Sequence, residues 1–338
     1  MPTNVIVGCR STQLSDNERA LFSELQPWGI ILFARNIEHP KQITALIEDC
    51  KKAMQRNKLM VFIDQEGGRV SRLPKSHWRI PPSPTIFAKM YEKNIEKAKR
   101  ACLLNATLTG LELKALGINV NCAPMLDIPQ QNASSIISER ALGATPQKVI
   151  ALGQQICTGL KHVGVAPVIK HMPGHGRATS DSHLKLPQVS ATLTELNDWD
   201  FVPFKALNDE AMAMTAHIVF DQIDRNLPAT ISPEVVNTIM REVIGFDGLI
   251  LTDDINMHAL SGSVAARAEQ AIAAGCDIVL HCSGEIGEMQ SLLNVASNIE
   301  GKTLERVNKA QNLAFKDMPD ICAINIKEEL DSLIIDYD

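Results

Sequence analysis

Aromatic residues are scarce: Phe, Trp and Tyr together make up 4% of the 338 residues, which leaves few flat platforms for an extended ligand and favours a short pocket. There is no surplus of positive charge either. Lys and Arg number 33 against 39 Asp and Glu, for a formal charge of -6. With the lysines scattered rather than striped, electrostatic docking on nucleic acid or an anionic membrane is excluded. No window approaches the run of about eighteen apolar residues that a membrane span needs. The opening MPTNVIVGCR has neither a basic n-region nor an apolar stretch long enough for a signal peptide. The eight cysteines, at 9, 50, 102, 122, 157, 276, 282 and 322, form no C-x-x-C, and several fall inside apolar runs, as free buried thiols do. These absences lead us to expect a cytoplasmic protein in a reducing compartment. Its partner is expected to be a small-molecule substrate, not nucleic acid or membrane, and the chain to be a monomer.

What is present is 45% hydrophobic content, enough for a large core at a length that suits two ordinary domains or one barrel. Short apolar runs at 4–9, 28–33, 59–63, 118–121, 165–169, 211–215, 248–252 and 277–281 read as strands. Helical patterns alternate with them. Ser15 and Glu18 make a capping-box signal for a helix to about residue 25. Ile43, Leu46, Ile47 and Cys50 share one face of a helix over 40–55. Further helices are expected over 95–116, from Pro146, and over 192–207, 232–244 and 264–274. The spacing predicts an α/β fold, a single (β/α)8 TIM-type barrel spanning 1–338 as one domain, with a loose acidic end at 331–338. No Ser/Gly-rich linker or low-complexity tract interrupts it.

In such a barrel the chemistry gathers just past the strand ends, where this chain places Asp64, Asp127, Lys170, His171, His217, Asp253 and Asp254. The densest stretch is 170–183, KHMPGHGRATSDSH, with three histidines in fourteen residues. Gly174 and Gly176 read as hinges of a loop able to move over a pocket. Asp181 and His183 stand two apart, so in extended chain the carboxylate can hold one imidazole nitrogen and leave the other for a substrate proton. The plain alternative is a polar surface loop. Asp253 and Asp254 end one apolar run together; neighbours on a strand point opposite ways, so only one aims into the barrel mouth, and the spacing does not say which.

The pattern KH-x-PGHG-x4-DSH resembles the signature of the family 3 glycoside hydrolases, specifically the one-domain bacterial β-N-acetylglucosaminidases of peptidoglycan recycling. GIILFARN, DQEGGRVSRL, INVNCAPMLDI, LTDDINM and AGCDIVL extend that likeness over nearly the whole chain. The resemblance implies a retaining, exo-acting enzyme with Asp253 as nucleophile and a His183/Asp181 acid/base dyad, where most glycosidases use a second carboxyl group. By the same resemblance Asp64, Arg72, Arg140, Lys170 and His171 bind the sugar, His175 is structural, and the substrate is a muropeptide bearing N-acetylglucosamine. No metal or cofactor is implied. Met172 and Ala141-Leu142 depart from the commoner Phe and Ser-Phe of the pattern.

Three other readings compete with hydrolysis. A β-N-acetylglucosaminide phosphorylase is open to the same residues, because a histidine does not repel phosphate as a carboxylate does. A metal-dependent barrel hydrolase could draw on His171, His175, Asp181 and His183, but no H-E-x-x-H and no early strand-end H-x-H occurs. A sugar-binding protein without turnover would leave Asp253 and the dyad idle.

Overall fold

The computed structural model describes residues 1–130, 139–178 and 186–337. Its strands are β1 (Thr3–Gly8), β2 (Pro27–Leu32), β3 (Met60–Ile63), β4 (Val120–Asn121), β5 (Ala166–Pro167), β6 (Ile169–Met172), β7 (Gln188–Val189), β8 (Met212–Thr215), β9 (Val219–Phe220), β10 (Leu249–Asp254) and β11 (Ile278–His281). The main sheet runs β5-β4-β3-β2-β1-β11-β10-β8-β6, while β7 and β9 pair by themselves. All its pairings are parallel. β5 and β6 are halves of one strand interrupted at Val168, next to Pro167, which has no N–H to give. The Val168 N–H bridges the break, donating toward the Asn121 and Ala123 carbonyls at 3.0 and 3.2 Å. The two ends of the sheet are therefore one strand, and the ring closes with eight positions as a (β/α)8 barrel.

Both faces of each strand are apolar because one fills the barrel and the other meets the helices. The rows separate cleanly. Ile6, Met60, Phe62, Val120, Val168, Met212, Met214, Leu249, Leu251, Ile278 and Leu280 belong to the inner cluster. Val5, Val7, Val61, Ile63, Ile169, Ala213, Ile250 and Val279 belong to the outer one, with the helices. Gly8 stands on an inner-row position where a Cβ would meet the Cys282 carbonyl oxygen at 2.4 Å.

The first helix, α1 (Asp16–Leu25), carries the expected capping box: Glu18 Nα donates to Ser15 Oγ, and Ser15 donates back to Glu18. The second, α2 (Pro40–Ala53), buries Ile43, Leu46, Ile47 and Cys50, the predicted face. Two further helices, α3 (Pro84–Lys93) and α4 (Ile95–Ala115), follow the long loop after β3, and α5 (Pro146–His162) packs on α4. The expected helix over 192–207 is broken. Its middle, Leu196–Asp200, is a widened π-turn in which the Phe201 N–H reaches the Leu196 carbonyl at 2.9 Å. Pro203 accounts for the break, since its ring has no N–H and clashes with a carbonyl four residues back. Helix α6 (Val264–Ala274) lies between β10 and β11, and α7 (Gly301–Ala314) and α8 (Ala323–Ile334) end the chain. The last runs into the stretch read as a loose end: Leu330 and Ile334 are buried, and Glu329 pairs with Arg100 of α4 at 2.6 and 2.7 Å.

All eight cysteines are free, seven buried and Cys322 exposed. Among the described residues, no helix is long and apolar enough to cross a membrane.

Candidate functional site

Extending the inner row of each strand by one step brings polar groups to the barrel mouth. Met60 and Phe62 lead to Asp64, Ala166 and Val168 to Lys170, Leu249 and Leu251 to Asp253. A period of two thus selects, for each strand, the residue that faces inward. These three line a cavity of about 480 Å³ with Arg72, Arg140, His171, Glu66, Phe33, Arg35 and Ser283 among the other walls. The eight expected site positions split in consequence: Asp64, Arg72, Arg140, Lys170, His171 and Asp253 share this cavity, while Asp181 and His183 lie outside the described residues. Lys170 and His171 do not sit past a strand end, as the apolar run suggested. They lie within β6, where Lys170 N–H donates to the Pro124 carbonyl at 3.1 Å and the Lys170 carbonyl accepts from Leu126 at 2.6 Å.

One wall is an ion cluster. Lys170 Nζ, 3% exposed, donates to Asp64 Oδ1 at 2.8 Å and to Glu66 Oε1 at 2.7 Å. Arg72 Nη2 reaches Asp64 Oδ2 at 3.3 Å. Arg140 forks onto Glu66, Nε to Oε2 at 2.9 Å and Nη2 to Oε1 at 2.7 Å. Burial pushes both carboxyl pKa values up, but Lys170 with Arg72 for Asp64, and Lys170 with Arg140 for Glu66, more than reverse it, and both end below the usual range. Burial works against the charge on Lys170, and the two carboxylates outweigh it. Three cations against two carboxylates give a fixed, charged surface suited to hydroxyl and amide groups. Glu66 stood in the quoted DQEGGR stretch without a role; its signal was a second carboxylate two residues after Asp64.

Beneath His171 lies Asp127, fully buried. Its Oδ2 is 2.6 Å from His171 Nδ1, and Oδ1 accepts the His175 backbone N–H at 2.6 Å. The carboxylate thereby fixes which ring nitrogen of His171 carries its proton and leaves Nε2 for the cavity. Burial raises the Asp127 pKa, and His171 and His175 bring it below the ordinary value. His175 packs edge-on against His171, ring centroids 5.6 Å apart, and burial takes its pKa down to about 4. Gly174 has φ +141, but Gly176 is a glycine for a different reason than a hinge. A Cβ there would meet the Ile128 carbonyl oxygen at 1.9 Å, so the segment is laid directly on neighbouring backbone. Arg177 Nε ties the same segment to the buried Asp200 Oδ2 at 2.7 Å.

The two aspartates of β10 separate by role in the hydrogen-bonding. Asp253 Oδ1 accepts the Asp254 N–H at 2.8 Å. Asp254 Oδ1 accepts from Asn256 N at 3.1 Å and Cys282 N at 3.0 Å, holding the next turn. Burial raises the Asp254 pKa against the pull of those two backbone donors. Around the eight-position ring, β10 stands four strands from β3, so Asp253 and Asp64 rise from opposite sides of the mouth.

The glycosyl hydrolase family 3 N-terminal domain matches residues 5–313. A β-hexosaminidase from Alkalilimnicola ehrlichii is 36% identical over 283 residues, 82% of this chain and 80% of its own. One from Methylococcus capsulatus is 38% identical over 275 residues, 80% of each. The crystal structure of NagZ from Neisseria gonorrhoeae in complex with N-trifluoroacetyl-D-glucosamine superposes with a TM-score of 0.85 at 26% identity, covering 100% of this chain and 98% of that one.

Proposed function

The chain belongs to glycosyl hydrolase family 3, as a glycoside hydrolase of the β-N-acetylhexosaminidase type, and from that premise we propose that it is a retaining, exo-acting β-N-acetylglucosaminidase. Its substrate in this reading is a peptidoglycan-derived muropeptide, from which it removes the non-reducing N-acetylglucosamine in the cytoplasm. The observation that carries the reading is the inward register of Asp253 across the mouth from the Asp64–Lys170–Glu66 cluster. That arrangement supports one carboxylate at the anomeric carbon and a polar wall for the sugar hydroxyls.

The glycosidic bond breaks through an oxocarbenium-like transition state, which needs negative charge near the anomeric carbon and a proton for the departing oxygen. Asp253 supplies the charge and forms the covalent glycosyl-enzyme. His183, oriented by Asp181, gives the proton and then takes one from the attacking water. Asp64, through two acceptor oxygens, His171, through Nε2, and Arg72, Arg140 and Lys170, through their donors, hold the sugar. The small cavity and the scarcity of aromatic platforms support a short pocket acting at a chain end.

A 5-fluoro N-acetylglucosaminyl derivative tests the assignment. It should label Asp253, and Asp253→Ala should abolish turnover with the circular-dichroism spectrum unchanged. A label on Asp254 overturns it. Comparing release from a muropeptide with release from an N-acetylglucosamine disaccharide tests the aglycone.

A further inference from the structure

Three fully buried residues, Thr215, His217 and Thr230, lie against the Asp253–Asp254 end of β10. His217 Nε2 is 3.0 Å from the Asp254 carbonyl oxygen, which can only accept, so Nε2 carries the proton. Burial holds the His217 pKa below its ordinary value and keeps the ring neutral, which makes Nδ1 an acceptor. Nδ1 is 2.7 Å from Thr230 Oγ1, so Thr230 donates there. Its single hydroxyl proton cannot also serve the Ala216 carbonyl, which is farther away at 3.1 Å. Thr230 Oγ1 is also 2.7 Å from Thr215 Oγ1, and with its own proton spent it accepts from Thr215. Thr215 Oγ1 is then left to accept the Asp253 N–H at 3.3 Å. The direction of every bond is thus set, and the chain of bonds begins at Asp254 O and ends at Asp253 N.

We infer that this His217–Thr230–Thr215 relay is a positioning device for the nucleophile, gripping the peptide groups on either side of the Asp253–Asp254 pair so that the Asp253 carboxylate keeps one aim into the cavity. The inference rests on the assignment of Asp253 made above. None of the three residues touches substrate; they act through the Asp253–Asp254 backbone. Thr230 is the pivot, because it alone contacts both other members. A misplacement of about 1 Å at a reacting group can cost on the order of a hundredfold in rate.

The test is Thr230→Val, which keeps the shape and removes the hydroxyl, with Thr215→Val and Thr230→Ser alongside, all in the full chain with folding verified by circular dichroism. Thr230→Val and Thr215→Val should each lower kcat by about tenfold or more with KM within about twofold of wild type. The rate of covalent labelling by the fluoro sugar should fall by the same factor, and Thr230→Ser should restore most of it. Unchanged kcat in folded Thr230→Val, with the label still on Asp253, overturns the positioning role. So does a Ser variant as slow as Val. A label on another carboxylate in the wild-type enzyme instead overturns the nucleophile assignment beneath it.

Discussion

Arg140 holds Glu66 through a two-point fork, Nε to Oε2 at 2.9 Å and Nη2 to Oε1 at 2.7 Å, across 74 residues of sequence. Glu66 is 3% exposed and shares Oε1 with Lys170, so one carboxylate orients two cations of the cavity wall. Replacing it strands Arg140 in a dry place and leaves Lys170 with Asp64 alone. Glu66→Gln should lower unfolding free energy by about 3–5 kcal/mol, the usual cost of breaking a buried ion pair from one side. On the proposed assignment it should also raise KM more than it lowers kcat, because Arg140 and Lys170 would lose their aim at the sugar while Asp253 would not. Denaturant unfolding and steady-state kinetics check both; an unchanged KM would detach Glu66 from the binding wall.

Proton transfer by His183 predicts an effect that depends on the leaving group. With a nitrophenyl glycoside, which departs without a proton, His183→Ala should still form the covalent intermediate but hydrolyse it slowly, so rapid-quench traces should show a burst. With a sugar leaving group the reaction should stall altogether. Equal slowing of both, without a burst, would remove His183 from the acid/base role.

Asp200 ties down the segment after β6 through Arg177, and burial, partly offset by that arginine, pushes its pKa up to about 6. A raised carboxyl pKa means the folded protein holds a proton that the unfolded chain has lost, so stability falls as pH rises from about 4 to about 6. Asp200→Asn removes that dependence. The melting temperature of the variant relative to wild type should therefore climb across this window and level off above it. A difference flat with pH would contradict the raised pKa.

Treatment with EDTA should leave the rate unchanged, and inactivation reversed by zinc would revive a metal mechanism. Product analysis in phosphate buffer separates the remaining pair: free N-acetylglucosamine marks hydrolysis, and its 1-phosphate marks phosphorolysis.

The barrel was legible because parallel strands buried on both faces appear as short apolar runs, and the runs at 28–33 and 59–63 match β2 and β3 closely. For the same reason the choice between Asp253 and Asp254 was not. A strand with two apolar faces shows no polar alternation, so its inward register emerges only when Leu249 and Leu251 are seen inside the barrel. Lys170 and His171 were placed a step too far along because polar residues inside β6 ended the apolar run early. The Glu66–Arg140 fork and the Asp127–His171 contact join residues 74 and 44 apart, and no local pattern encodes pairing over such distances. Gly176 read as a hinge because a glycine for close approach and one for freedom look alike in sequence.

The distribution of thiols has a practical reach. With seven cysteines buried and only Cys322 exposed, just before α8, a maleimide under native conditions should attach at a single position. Cys322 does not line the cavity, whereas the buried Cys282 does, so a fluorophore or surface tether placed at Cys322 gives a uniformly oriented enzyme with its mouth untouched, and Cys282→Ala is the control that no label enters the cavity.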